Sequence, residues 1–85
     1  MILQMYSCLD KAVGAFMPPF FCRTNAEAVR SFRDACTDPK HQFNLHSSDF
    51  VLYRIGGFDD SIGTMIPLDN PEKVVDALSL VSEAS

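Results

Sequence analysis

Apolar and polar positions alternate every second residue at the start of this chain, and a nearly continuous apolar run follows near its middle. From Ile2 to Leu9, Leu3, Met5 and Leu9 share one register and Gln4, Tyr6 and Cys8 the other, which is the period of a strand. Asp10 to Pro18 breaks the pattern around Gly14. Pro19-Phe20-Phe21-Cys22 resumes as a short extended segment, because the residue before each proline is pushed toward β or polyproline geometry, and it is placed as an edge beside the first strand. Phe50 to Ile55 is apolar or aromatic except for Arg54, which suits a strand covered on one face and partly covered on the other. Gly56 and Gly57 mark a bulge or a close backbone approach, and Asp59 to Gly63 is hairpin-turn chemistry. Thr64 to Leu68 returns as the partner strand, with Pro67 limiting its extent because proline lacks the ladder N–H.

The helical period appears between these strands and after them. Thr24-Asn25-Ala26-Glu27 reads as a capping box, a threonine N-cap with glutamate three residues on. It opens a helix that should run to Cys36 or Thr37, before Asp38-Pro39 ends it. At ~100° per residue, Ala28, Val29, Phe32, Ala35 and Cys36 fall within an arc of roughly 120°, a core-facing stripe. Glu27, Arg30, Ser31 and Asp34 lie opposite, and Arg33 sits on the boundary. Lys40 to Ser48 reads as a loop anchored by Phe43 and Leu45. Asp69-Asn70-Pro71-Glu72 resembles a helix start with proline at the first helical position, and Val74, Val75, Leu78 and Val81 share a face, so a second helix is expected from Pro71 to about Glu83.

Composition turns these elements into one domain. A chain of 85 residues buries only about 60 to 65% of the surface its unfolded form exposes, so the core is small. With 47% hydrophobic content and seven phenylalanines, wholesale disorder is excluded. The expectation is a single α+β domain over residues 1–85, in two layers: an antiparallel sheet of three or four strands with one or two helices packed on one face.

Charge narrows the partners without naming one. The net charge is −4, with six basic and five acidic residues up to position 54 and one basic against six acidic after it. Neither part is basic enough to read as a nucleic-acid binder from charge alone. Arg23, Arg30, Arg33 and Lys40, with Lys11 nearby, could still form a local phosphate surface, and Phe20 or Phe21 a stacking surface. Against that stands a Glu27–Arg30–Asp34 ion-pair ladder along the helix. Whether the arginines are free or held in that ladder separates the two readings. Tyr6, Phe50, Leu52, Tyr53 and Phe58 are assigned to the sheet face that the helices leave open, where so much apolar area suggests a homodimer or another protein partner.

Catalytic and metal chemistry find little support. His41 and His46 have ligand-like spacing, but Cys8, Cys22 and Cys36 are thirteen or more residues apart and fall on different elements. Asp59 and Asp60 lie in a turn, where aspartate is favoured for its backbone hydrogen bonds. No enzyme activity and no cofactor or metal are therefore expected. The apolar opening Met1-Ile2-Leu3 lacks a basic n-region and is expected to be a strand rather than a signal peptide. No run approaches the ~18 apolar residues of a membrane span, and the thiols are expected to be free in a reducing compartment.

Several of these pieces together resemble one family. Asp10-Lys11, Pro19-Phe20-Phe21, Glu27-Ala28-Val29-Arg30-Ser31-Phe32, Asp49-Phe50 and Tyr53-Arg54-Ile55-Gly56-Gly57-Phe58-Asp59 with Gly63 are similar to the small non-structural protein of gokushovirus-type microviruses, phages with circular single-stranded DNA. The similarity runs up to Leu68, and Gly57 departs from it where an acid is common. It implies a non-capsid protein in the host bacterial cytoplasm that assists single-stranded DNA replication or genome packaging by binding DNA. The alternative is a protein-interaction module that engages the viral replication initiator, the procapsid or a host protein without DNA contact.

Overall fold

The computed structural model describes residues 1–84, and strand β1 (Ile2–Asp10) is the element around which they assemble. One edge of β1 pairs with two short strands, β2 (Ala15–Phe16) and β3 (Phe20–Cys22), and its other edge pairs with β4 (Phe50–Asp59). A last strand, β5 (Thr64–Asp76), lies outside β4, so the sheet has five strands, all antiparallel, in the order β2 and β3, β1, β4, β5. Helices α1 (Asn25–Cys36), α2 (Gln42–Leu45) and α3 (Ala77–Ala84) complete an α+β fold.

Within the Pro19–Cys22 segment, Phe20–Cys22 pairs with β1 as expected, and Gly14, at φ +75°, lies in the turn between β1 and β2. α1 has the bounds that its cap and periodicity set. Thr24 Oγ1 accepts from the Glu27 N–H at 3.2 Å, and Ala28, Phe32 and Cys36 are buried. The hairpin turn also forms where expected, with Gly63 at φ +68° and its N–H donating to the Asp59 carbonyl at 2.8 Å.

Three expectations are corrected. The strand after the turn does not stop at Leu68, and no helix begins at Pro71: β5 continues to Asp76. The edge position explains it, because Pro67 and Pro71 there cost no inner ladder bond. Between the Arg54–Glu72 and Gly56–Pro67 pairs, residues 68–71 stay out of register opposite Ile55, a bulge that absorbs the second proline. The helix starts instead after Asp76, whose Oδ1 accepts from the Ser79 N–H at 2.8 Å and the Ser79 hydroxyl at 2.6 Å, the N-cap geometry. Residues 40–48 hold α2 and a 3-10 turn at Ser47–Asp49; Phe43 anchors them, whereas Leu45 is exposed.

The third correction concerns which face of the sheet the helices cover. Tyr6 and Cys8 of β1, Cys22 of β3 and Phe50 and Leu52 of β4 form one cluster with Phe32 of α1, Phe43 of α2 and Leu80 of α3. Tyr6, Phe50 and Leu52, expected on the open face, are therefore core residues, exposed by 0%, 3% and 0%. The Phe43 ring packs 5.3 Å from Phe32 and 4.6 Å from Phe50, and burying each such ring stabilises the fold by roughly 1.5–3 kcal/mol. Tyr6 also donates its hydroxyl to Asn25 Oδ1, tying β1 to the first turn of α1.

Candidate binding faces

With the helices on the Tyr6 face, the opposite side of the sheet carries the odd-numbered residues of β1 and their neighbours. Leu9 lies opposite Phe16, Met5 opposite Phe21, Leu3 opposite Phe58 and Ser7 opposite Tyr53, and residues directly opposite share a face. Tyr53 and Phe58 would point to opposite sides of a regular strand. They share this one because β4 carries an extra residue, Ile55, at the register shift opposite Met5 and Tyr6.

The rings on this face pair off. Phe16 meets Tyr53 edge-on with centroids 5.5 Å apart, and Phe21 meets Phe58 at 5.6 Å and a tilt of 55°. Phe16 and Phe21 remain 46% and 42% exposed, and Tyr53 and Phe58 are half-buried. Between the two pairs the floor is made of the buried side chains of Met5 and Ser7, and the Ser7 hydroxyl donates to the Met17 carbonyl at 2.6 Å. Gly56, opposite Met5, keeps this part of the face low, since a Cβ there would come within 3.1 Å of the Met5 methyl.

One cation lies beside the first pair in the ladder, and another follows the strand that carries Phe21. Lys73 lies directly opposite Tyr53 in the β4–β5 ladder, with its Nζ 3.3 Å from Asp76 Oδ2. Arg23 directly follows β3 and is exposed. Arg54 is on the other face, held by Gln4 Oε1 at 2.8 Å and by the Glu72 carboxylate at 3.4 Å.

The four cations assigned to a phosphate surface do not converge. α1 is about 18 Å long at 1.5 Å per residue, and Arg23 precedes its start while Lys40 follows its end. Arg30 and Arg33 are exposed on it, but the ladder with Glu27 and Asp34 does not form. Glu27 Oε1 turns back to the Arg23 N–H at 3.4 Å, Arg33 reaches Glu83 of α3 at 3.7 Å, and Arg30 has no ion pair among the described residues. These arginines are free of the ladder, yet they are interleaved with carboxylates and face away from the aromatic rings.

The remaining polar groups do structural work. His41 Nδ1 accepts from the Phe43 N–H at 3.0 Å and caps α2. No group of three or more metal-ligating side chains occurs among the described residues. The thiols are buried, and burial pushes Cys8 up to about 12 and Cys36 up to about 11, far from the thiolate a nucleophile needs. One open apolar hollow of about 190 Å³, lined by Cys8, Phe20, Ser31, Phe32, Ala35 and Phe43, is smaller than ordinary ligand pockets.

Comparison with known families gives one finding. The family model for the Phage ORF5 protein matches residues 3–80, from the second residue of β1 into α3. The chain belongs to the Phage ORF5 protein family. The match spans every strand, so the Phage ORF5 pattern includes β5 and the start of α3, beyond the Leu68 limit of the similarity quoted above. No curated protein and no solved structure matches this chain. Among the described residues of this phage protein, no helix is long and apolar enough to cross a membrane.

Proposed function

We propose that this phage protein is a non-enzymatic accessory factor of the gokushovirus type that assists single-stranded DNA replication or genome packaging, in the host cytoplasm, by binding DNA. The observation that supports it is the sheet face that no helix covers. It presents paired, half-exposed aromatic rings on a rigid antiparallel scaffold with basic side chains at its margin. Such a face suits bases that are not already stacked in a duplex. The helix arginines are a weaker basis, because Glu27, Asp34 and Glu83 share their surroundings.

Fluorescence anisotropy with labelled single-stranded and duplex oligonucleotides, at low and near-physiological salt, tests this. Binding to single strands that weakens with salt and exceeds duplex binding is the expected result. Absence of single-strand binding at low salt overturns the proposal.

A second reading rests on a different observation. The net charge is −4, and Ile62, Met65 and Ile66 stand exposed on the β4–β5 hairpin, which suits a protein partner or a second copy better than a phosphate backbone. Under that reading the protein engages the replication initiator, the procapsid or a host protein, and the oligonucleotide titrations are flat.

A further inference from the structure

Three features of the molecule lie outside the scaffold itself: the apolar hollow beside α1, the exposed hairpin and the aromatic sheet face. Nothing in the structure selects an occupant for the hollow or the hairpin. The sheet face combines ring geometry, spacing and charge that fit one chemistry.

We infer that the uncovered face carries two base-stacking stations for a single DNA strand, one formed by Phe16 and Tyr53 with Lys73 beside them, the other by Phe21 and Phe58 with Arg23. The inference rests on the DNA-binding reading and specifies its site. The stations are set apart by β1 itself: Phe16 lies opposite Leu9 and Phe21 opposite Met5, four residues or about 13 Å along the strand. Each station offers one ring more than 40% exposed, backed by a half-buried one that fixes its orientation. The low ground between them, over Met5, Ser7 and Gly56, leaves room for a connecting sugar-phosphate.

Charge complementarity points the same way locally despite the net charge of −4. Lys73 is opposite Tyr53, and its partner Asp76 already accepts two hydrogen bonds from Ser79, so an approaching phosphate competes with a carboxylate that is otherwise satisfied. Arg23 has no ion pair among the described residues, is exposed and stands two residues after Phe21 at the end of β3. Two cations give a shallow salt dependence, a slope of log K against log salt of about −1.4 for a single strand. Stacking carries the rest.

The test uses the full chain, labelled oligo-dT of twelve nucleotides and of two, and the variants Phe16→Ala and Phe21→Ala. Both rings are surface groups, and a thermal melt by circular dichroism verifies that each variant folds. Each is expected to weaken binding of the longer oligonucleotide roughly 5- to 150-fold, the range for loss of one stacked base. With the dinucleotide, which reaches one station at a time, each variant is expected to halve the stoichiometry and leave the surviving site unchanged. Lys73→Gln and Arg23→Gln are expected to flatten the salt slope by about 0.7 each.

Arg30→Gln/Arg33→Gln probes the opposite layer and is expected to change affinity less than threefold. If single-strand binding persists in Phe16→Ala and Phe21→Ala but is lost in Arg30→Gln/Arg33→Gln, DNA binding stands and the two-station platform is overturned. If the wild type binds no single strand at low salt, the DNA reading falls and the platform with it. A wild-type dimer by sedimentation that Phe21→Ala converts to monomer without changing DNA affinity assigns the face to a second copy, and overturns the platform as well.

Discussion

Gly56 shows how much of this fold depends on what a single position lacks. It faces Met5 on one side and Pro67 on the other, and a Cβ there would sit 2.5 Å from the Ile66 carbonyl oxygen and 3.1 Å from Pro67 Cα. Both obstacles are backbone, which cannot swing aside as a side-chain tip can. Gly56→Ala is therefore expected to destabilise the fold by about 1–3 kcal/mol, the usual cost of overpacking, through separation of β5 from β4. A urea melt followed by circular dichroism measures it, and an unchanged midpoint would show that β5 yields freely at this point. The glycine pair could be recognised in the sequence as a bulge or a close approach, and it is both, since the extra residue Ile55 precedes it. Only the bulge puts Tyr53 and Phe58 on one face, the uncovered one to which the sequence reading also assigns them, although strict alternation through Ile55 would separate them.

Among the elements, α1 was the most legible and β5 the least, for one physical reason: local signals in α1 agree with its tertiary role, and in β5 they conflict with it. Thr24, Glu27 and the stripe of Ala28, Phe32 and Cys36 specify a helix through caps and periodicity that need no partner. Thr24→Ala should cost about 1 kcal/mol by leaving the Glu27 N–H without its acceptor. Hydrogen exchange would show that loss as faster exchange confined to the first turn of α1; exchange accelerated equally in β1 and β4 would contradict a local capping role. In β5, Asp69-Asn70-Pro71-Glu72 carries the signature of a helix start, yet the ladder with β4 from Val51 to Arg54 prevails. The helix-start signal is Asp76, three residues before Ser79, whose N–H donates to it. The candidate site divides along the same line. Of Phe20 and Phe21, both read as stacking surfaces from type and position, Phe21 lies exposed on the uncovered face, while Phe20 packs on Tyr6 against the core. Phe16 carries no such local signal, because its place on this face depends on pairing with Leu9 and on the contact with Tyr53, far away in the chain.

The molecule as a whole is two-sided, and its response to pH follows from which groups lie on the covered side. Asp59 and Asp76 sit below their usual 3.8, chiefly through hydrogen bonds from the Ser61 and Ser79 side chains and backbone. Depressed carboxylates contribute stability that is complete above about pH 4 and is lost as pH falls through the folded value; both groups are at the surface, so the acid limb is shallow. The alkaline limb comes from the core. Cys8 is pushed up to about 12 and Cys36 to about 11 by burial beneath the helices, and the N-terminal amine is raised from 8.0 by Asp60. These folded values lie above the unfolded ones, so their contribution is full below about pH 8 and declines as pH rises, because the unfolded chain releases its thiol protons near pH 9 and the folded chain does not. Each buried thiol adds at most about 1.4 kcal/mol of lost stability per pH unit in that range. Urea midpoints are thus expected to drop between pH 9 and 10.5, with the drop reduced in Cys8→Ala/Cys36→Ala. An equal drop in that variant would remove the thiols as its cause. The aromatic face holds no thiol, and its one depressed carboxylate is Asp76 beside Lys73, so the alkaline loss of stability originates on the covered side of the sheet and not among the paired rings.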